Sequence, residues 1–280
     1  MHSPEEEWPM CRKALQNGYA YMLIILPAVL LGVLAMIADG VSPRLWGQQI
    51  AAFAVFTLAG LLRRRCKRIP SFVWLAVCLL ALAATMLFPA VGGARRWLDL
   101  GIFNVNAGML LLPSLLVMLS GLKCMYPALM VIAAILCIQP DFSQLTAFSL
   151  GVLPVLWLRR NHVGWLMASL IFLGACLIRC AGIPVELEPA AYCEGILAML
   201  HNLSPLMQVI GWLALALIPV CFLVRFFRRR EAGELCLAIY YAVVILFSVT
   251  GEYPVPFMGF GLSPIAGCWL MHVFALERCE

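Results

Sequence analysis

Ten runs of apolar residues alternate with short polar segments along this chain of 280 residues. A helix needs about 20 apolar residues to cross the hydrocarbon core of a bilayer, and most of these runs approach that length. The runs cover approximately residues 19–38, 45–62, 69–91, 107–122, 126–139, 142–158, 163–182, 205–224, 235–250 and 260–276. The pattern predicts an all-α fold: a polytopic transmembrane helical bundle of about ten spans, in a single domain over residues 1–280.

The composition excludes several classes of protein. The chain is 64% hydrophobic and 12% charged, whereas a soluble domain averages about 45–50% apolar and about 25% charged residues. A soluble enzyme and a disordered chain are therefore both excluded. The net charge of +5 does not indicate nucleic-acid binding, because the basic residues lie in short runs between apolar stretches. No nucleotide-binding motif is present, and no loop on the side of the termini is long enough to hold one.

The distribution of basic residues predicts the orientation in the membrane. With ten spans, fifteen of the 19 Lys and Arg residues fall on the side of the termini. The other four are Arg44, Arg95, Arg96 and Arg179. By the positive-inside rule, both termini are cytoplasmic. Since topology explains the cytoplasmic basic runs, we expect any chemistry on the outer face, whose short loops hold seven acidic residues.

The cysteines do not form a pattern typical of a disulfide framework. Most of the twelve lie inside apolar runs, as Cys137 and Cys268 do, where a small buried apolar side chain is expected. Cys176 and Cys180 share a helix face, but two thiols with no nearby His do not define a metal site. We therefore predict neither a metal site nor a redox centre.

A pair of arginines beside a tryptophan lies before the fourth predicted span, within residues 92–101. The guanidinium groups of Arg95 and Arg96 match the oxygens of a lipid phosphate, and Trp97 favours the membrane interface. This segment is a candidate anion-binding site. The alternative is an interfacial anchor in which Arg96 pairs with Asp99.

Gln139, Pro140 and Asp141 separate the fifth and sixth predicted spans. Proline opens the helix backbone, and an ionisable residue at the membrane edge usually belongs to a functional site or a structural network. The alternative is that Asp141 caps the N-terminus of the sixth helix. Both roles are compatible.

The connection before the last predicted span, residues 251–264, contains three prolines and three glycines. Phe257 and Ser263 lie within it. Irregular backbone at membrane depth must be buried in protein or line a cavity, so this composition predicts a re-entrant or strained segment. The alternative is a plain extracellular turn.

These three segments, in this order, resemble the SEDS family of shape, elongation, division and sporulation proteins. The segment from Gly93 to Gly101 is similar to the arginine-tryptophan motif of the family, and residues 139–141 match its glutamine-proline-aspartate motif. Residues 255–263 are similar to its proline-rich turn before the tenth span. The number of spans, their orientation and the motif positions agree along nearly the whole chain.

The resemblance implies a function in bacterial cell-wall synthesis. Members of the family are peptidoglycan glycosyltransferases that polymerise lipid II at the outer face of the cytoplasmic membrane, together with a class B penicillin-binding protein. It implies as partners lipid II or another polyprenyl-pyrophosphate-linked precursor, a divisome or elongasome component and membrane lipids, but no nucleic acid. No cofactor is indicated, and a divalent cation is left open. The implied substrate-binding residues are Arg95, Arg96, Trp97, Gln139, Asp141, Phe257 and Ser263.

The chain departs from the family at its charged positions. A glutamate and a lysine of the fourth span align with Met109 and Leu112, and the catalytic aspartate aligns near Leu197. The outer loop of residues 183–204 contains no aspartate, only Glu186, Glu188 and Glu194. A leucine cannot remove a proton from an acceptor hydroxyl. The catalytic residue therefore stays unassigned, with Glu194, three residues away, as the candidate if the loop repacks.

Three functions stay open at this point. The first is a divergent but active polymerase, and the second is a catalytically degenerate SEDS-like protein that serves as a scaffold for a lipid-linked precursor or a partner. The third is a flippase or transporter, although buried charge occurs only at span edges and no paired broken helices are evident. Because the expected base and two further charges are missing, we expect little or no turnover. Roles in division, elongation and sporulation are equally compatible with the sequence.

Overall fold

A computed structural model describes residues 19–62, 70–101, 104–183, 185, 190–251 and 253–274. These residues form twelve α-helices and one two-stranded hairpin. The helices are α1 Tyr19–Ala38, α2 Pro43–Leu62, α3 Ser71–Ala84, α4 Ala107–Gly121, α5 Met125–Ile138, α6 Phe142–Gly151, α7 Leu153–Leu158, α8 Val163–Ala181, α9 Ile196–Leu203, α10 Pro205–Arg229, α11 Ala232–Val249 and α12 Leu262–Phe274. The antiparallel strands are β1 Trp97–Asp99 and β2 Asn104–Asn106.

Each of the ten predicted spans corresponds to one helix, or, for the sixth, to the consecutive pair α6 and α7. The predicted all-α fold is therefore confirmed. Four helices are long and apolar enough to cross a membrane by themselves, namely α1, α8, α10 and α11. Five further apolar segments, of 10–17 residues, include α4, α5 and α12. This architecture is that of a multi-pass membrane protein.

The sixth span is broken into two helices beside a proline. α6 ends at Gly151, and α7 begins at Leu153 with Pro154 in its first turn. Proline lacks a backbone N–H and clashes with the preceding turn, so it favours the first turn of a helix. At the other end of α6, Asp141 Oδ1 accepts a hydrogen bond from Gln144 N at 3.2 Å. The predicted capping role of Asp141 is thus confirmed.

The core is built around α4, which packs along α12, and around α11, which packs against α10 and α6. Leu112, Leu115 and Leu116 of α4 are fully buried. Gly267 allows α12 to approach α4, since a Cβ at this position would overlap the carbonyl oxygen of Met109. Small residues at helix crossings are the usual means of close packing in membranes, where apolar side chains gain nothing from leaving lipid.

The orientation of the bundle stays a prediction, because both termini and the basic cluster around residues 63–68 lie outside the described residues. A reporter enzyme that is active only outside the cytoplasm, fused after Glu280, should be silent in intact cells. The same reporter inserted in the exposed turn at Leu100 should be active, since this turn lies on the predicted outer face. Strong activity from the Glu280 fusion, at equal expression, would contradict the ten-span topology.

Candidate functional site

Four connections at one end of the bundle are joined by hydrogen bonds between distant parts of the chain. Arg95 N donates to Gln139 O at 3.1 Å, which ties the segment before β1 to the end of α5. Asn106 N donates to Ser263 Oγ at 2.8 Å, which ties β2 to the start of α12. The three motif segments therefore meet at one end of the bundle, where they form a candidate site.

The fourth connection is the turn of residues 190–195, which belongs to none of the three motifs. Val255 N donates to Cys193 O at 3.1 Å, and Phe260 N donates to Tyr192 O at 2.8 Å. Gly259 makes this approach possible, because a Cβ there would overlap the carbonyl oxygen of Cys193. The proline-rich segment thus holds the turn in place.

A buried ion pair forms the centre of the site. Arg96 Nε lies 3.5 Å from Asp141 Oδ2, and the two residues are only 4% and 1% exposed. The guanidinium of Arg96 lies between the rings of Trp97 and Tyr253, at 5.2 and 5.6 Å from their centroids. Arg96 Nη1 is buried and has no hydrogen-bond partner. A buried guanidinium N–H without a partner is a ready donor for an anionic ligand.

The two adjacent arginines have different surroundings. Arg95 is exposed, and its Nη1 donates to Met86 O at 2.9 Å in the turn after α3. Arg96 pairs with Asp141 rather than with Asp99, whose Oδ1 accepts a hydrogen bond from Gly101 N at 2.8 Å. The site therefore draws on Arg96, while Arg95 fixes the entry into the hairpin.

Gln139 and Phe257 are buried and border neither of the two cavities of the site. Gln139 Nε2 donates to Leu82 O at 2.8 Å and to Thr85 Oγ1 at 2.7 Å, which ties α5 to the end of α3. Phe257 accepts a hydrogen bond from Gln49 Nε2 at 2.9 Å and has a φ of 66°. A bulky residue with positive φ is strained, as predicted for this segment.

A chain of hydrogen bonds near the ion pair involves residues outside the three motifs. Tyr240 OH donates to Gln144 Oε1 at 2.7 Å, and Gln144 Nε2 donates to Tyr253 OH. Asn106 Nδ2 also donates to Tyr253 OH, at 3.4 Å. The available signal was the presence of single polar residues within apolar spans, which must find partners when buried.

Two cavities open beside the ion pair and share one wall residue, Glu194. The first, which we call the arginine cavity, has a volume of about 480 Å³ and is lined by Arg96, Pro140, Ser143, Cys180, Glu194 and Thr250, among others. The second, the aromatic cavity, has a volume of about 600 Å³ and is lined by Trp97, Asn104, Tyr192, Glu194, Phe260 and Ser263, among others. Arg96 and Glu194 thus line the arginine cavity, whereas the aromatic cavity is lined by aromatic rings and amides together with Arg44 and Glu194.

Glu194 is half-buried in the turn before α9, where its Oε2 accepts a hydrogen bond from Ala190 N at 2.9 Å. Burial raises the pKa of this carboxyl above its usual range, although the Ala190 hydrogen bond and the charge of Arg96 act in the opposite direction. The sequence predicts that Glu194 would reach the site only after repacking of the loop. In the structure Glu194 lies on the walls of both cavities, and its catalytic role stays a prediction.

The positions aligned with charged residues of the family carry buried apolar side chains, one of which, Met109, also lines the aromatic cavity. Leu197 is 6% exposed and packs towards Gly211 of α10. Met109 and Leu112 are buried on α4. Glu186 and Glu188 lie outside the described residues. Glu194 is therefore the only acidic residue that both cavities share within the described part of the chain.

Within the described ranges, no group of three His, Cys, Asp or Glu residues is arranged to hold a metal ion. The divalent cation that the sequence leaves open stays a prediction.

Solved structures share this fold over nearly the whole chain. The rod shape determining protein RodA of Thermus thermophilus has 16% sequence identity and a TM-score of 0.64, covering 94% of this chain and 97% of that one. A mutant of the same RodA has a TM-score of 0.65, covering 94% of this chain and 98% of that one. A third similar chain comes from a structure on the coordination of polymerization and crosslinking by a peptidoglycan synthase complex. It has a TM-score of 0.66 and 16% sequence identity, covering 94% of this chain and 98% of that one. The fold is therefore the SEDS fold of RodA.

Sequence comparisons alone give no such match. No family profile matches the chain, and no curated protein matches it in sequence. The predicted SEDS fold is thus supported by structural similarity, which at 16% identity shows the fold alone.

Proposed function

We propose that the protein is a SEDS-type protein of bacterial cell-wall synthesis that binds lipid II, or another polyprenyl-pyrophosphate-linked precursor, at the outer face of the cytoplasmic membrane. The observation that carries the proposal is Arg96, a buried guanidinium with an unpartnered Nη1 on the wall of the arginine cavity. A guanidinium fork fits phosphate oxygens, and exclusion of water strengthens the contact. The precursor's pyrophosphate lies in this cavity.

Glycosyl transfer at Glu194 is the first candidate activity. The aromatic cavity takes an acceptor saccharide, since aromatic faces and amides such as Trp97 and Asn104 suit sugar rings and hydroxyls. Glu194 removes the proton of the acceptor hydroxyl, whose oxygen attacks the anomeric carbon of the donor. The polyprenyl pyrophosphate leaves with its charge stabilised by Arg96. A carboxyl whose pKa is raised by burial is a better base than an ordinary glutamate.

A precursor-binding scaffold without turnover is the second candidate. It is favoured by the apolar side chains at positions 109, 112 and 197, and by the hydrogen bond that already occupies Glu194 Oε2. In either case we propose a class B penicillin-binding protein as partner. This follows from the similarity to a chain of a peptidoglycan synthase complex.

The binding proposal predicts unequal effects of the two arginines. Arg96→Ala should weaken binding of lipid II to the protein in nanodiscs by about 10–100-fold. This change corresponds to the loss of a hydrogen bond to a charged group, which contributes about 1.5–3 kcal/mol. Arg95→Ala is the matched control and should change binding less than about twofold, because Arg95 borders neither cavity. Binding is measured by titration with labelled lipid II.

Loss of Arg96 also leaves Asp141 buried without its cation, so the fold of each variant is checked by thermal unfolding. Arg96→Lys serves as a second variant that keeps the charge but not the two-pronged geometry. Unchanged lipid II binding by a folded Arg96→Ala protein would reduce this residue to a structural partner of Asp141.

A further inference from the structure

Tyr253 contacts the guanidinium of the site without bordering either cavity. Its side chain is fully buried, and the centroid of its ring lies 5.6 Å from Arg96 Cζ. The ring of Trp97, at 5.2 Å from the same atom, lines the aromatic cavity, whereas Tyr253 lines neither cavity. A ligand in these cavities therefore reaches Trp97 directly and senses Tyr253 only through Arg96. The resemblance to the SEDS family does not imply a role for this tyrosine.

Hydrogen bonds do little to fix the orientation of the Arg96 guanidinium. Both Nε and Nη1 are buried without a hydrogen-bond partner, and the ion pair places Nε 3.5 Å from Asp141 Oδ2. A charge-assisted hydrogen bond is shorter, at about 2.7–2.9 Å. An aromatic ring attracts a cation that lies over its face, because the face carries the negative end of the ring quadrupole. The two aromatic rings thus restrict the guanidinium where hydrogen bonds do not.

The ring of Tyr253 is itself fixed through its hydroxyl group. The oxygen accepts hydrogen bonds from Gln144 Nε2 and from Asn106 Nδ2, which occupy both of its lone pairs. Gln144 also donates its backbone N–H to Asp141 Oδ1 at 3.2 Å. The same residue thus holds the ring of Tyr253 and the carboxylate that pairs with Arg96.

We propose that Tyr253 is a positioning residue for Arg96. Its ring holds the guanidinium on the wall of the arginine cavity in the orientation that binds the anionic group of the ligand. The inference rests on the proposed function, in which that group is the pyrophosphate of the lipid-linked precursor. A side chain that is oriented before the ligand arrives loses less freedom on binding, so affinity rises without a new contact to the ligand.

The first test separates the ring of Tyr253 from its hydroxyl. Tyr253→Leu removes both and should weaken binding of lipid II to the protein in nanodiscs by about 5–30-fold, as expected for a desolvated cation–π contact. Tyr253→Phe keeps the ring and should stay within about threefold of the wild type. Its unfolding temperature should nevertheless fall, because the buried amides of Gln144 and Asn106 lose their acceptor. Binding is measured by titration with labelled lipid II.

The second test changes the electrostatics of the ring at nearly constant shape. A trifluorinated phenylalanine at position 253 draws electron density away from the ring face and so weakens its attraction for a cation. Lipid II binding should be about 3–10-fold weaker than in Tyr253→Phe, at a similar unfolding temperature. A purely steric role of the ring would give equal affinities. This variant also decides the question if Tyr253→Leu does not fold.

The matched control is Tyr21→Leu. Tyr21 is buried at the opposite end of the bundle, where Arg225 Cζ lies 4.4 Å from the centroid of its ring. The control therefore removes a tyrosine from a buried arginine far from both cavities, and lipid II affinity should change less than about twofold. Adding Tyr253→Leu to Arg96→Ala should cause no further loss of affinity, because the tyrosine acts through that arginine.

The outcomes distinguish this inference from the proposed function. Equal weakening by Tyr253→Leu and Tyr21→Leu, or losses that multiply in the double variant with Arg96→Ala, would show a merely structural tyrosine and overturn the inference. If Arg96→Ala weakens lipid II binding but neither Tyr253→Leu nor the fluorinated variant does, the inference is wrong and the proposed function stands. If a folded Arg96→Ala protein binds lipid II as the wild type does, the proposed function is wrong and the positioning role is wrong with it.

Discussion

Glu194→Gln should reduce lipid II polymerisation by about 10²–10⁴-fold, which is the usual contribution of a general base. Glutamine keeps the size of the side chain and an oxygen that can accept the hydrogen bond from Ala190 N, so the turn before α9 should retain its structure. Lipid II binding should therefore be unchanged. The measurement is gel resolution of glycan products from purified wild-type and variant protein, beside a binding titration of both.

The pH dependence of polymerisation provides an independent check on the same residue. A base must be deprotonated to act, and burial raises the pKa of Glu194 above its usual range. Activity should consequently fall as the pH is lowered through that raised pKa, at a higher pH than an exposed glutamate would give. The matched control for the pH profile is Asp99→Asn. Asp99 is an exposed acidic residue of the hairpin, and its Oδ1 accepts a hydrogen bond from Gly101 N.

The outcomes separate the two candidate functions. If the wild type makes glycan product and Glu194→Gln does not, the result contradicts the scaffold interpretation. It also contradicts our expectation from the sequence that turnover is low or absent. Product that is insensitive to this substitution moves the search for the base to Asp141. Absence of product from a wild-type protein that binds lipid II leaves the scaffold as the function.

The helices could be predicted because membranes impose one simple requirement. Every backbone group in hydrocarbon must be hydrogen-bonded within the segment, so a long apolar run has to be a helix. The same reasoning could not find the hairpin of β1 and β2 or the helix α9. These elements are short, lie outside the apolar runs and are defined by long-range partners such as Ser263.

The site could be predicted in part, through its motifs. Arg96 and Asp141 are indicated by residue type and order, and their contact then depends on the hairpin that turns Arg96 inwards while Arg95 stays exposed. The position of Glu194 could not be predicted. It depends on the hydrogen bonds of Cys193 and Tyr192 to the proline-rich segment, more than 60 residues away in sequence.

The end of the bundle opposite the site holds a second feature that the charge pattern does not reveal. That pattern assigns Arg225 only to membrane topology, yet the residue is buried and its Nε donates to Glu234 Oε1 at 2.8 Å. Tyr21 OH donates to the same oxygen at 3.2 Å, and the guanidinium lies 4.4 Å from the centroid of the Tyr21 ring. One ion pair thus connects α1, α10 and α11.

Arg225→Met should destabilise the protein by about 3–5 kcal/mol, because it leaves the carboxylate of Glu234, which is fully buried, without its cation. Glu234→Leu should have a similar effect through the unpaired arginine. The double variant Arg225→Met with Glu234→Leu should recover much of the loss, since an apolar pair has no charge to desolvate. Stability is measured by reversible denaturant unfolding in mixed micelles, with the four proteins forming a double-mutant cycle.

Arg228→Met is the matched control for this cycle. Arg228 lies one turn further along α10 and is exposed, so its replacement should cost less than about 0.5 kcal/mol. If the charge of Arg225 served topology alone, Arg225→Met and Arg228→Met would be equally mild and the cycle would show no coupling. A large loss in both single variants that the double variant does not recover would show instead that the packing of the two side chains, rather than their charges, holds α10 against α11.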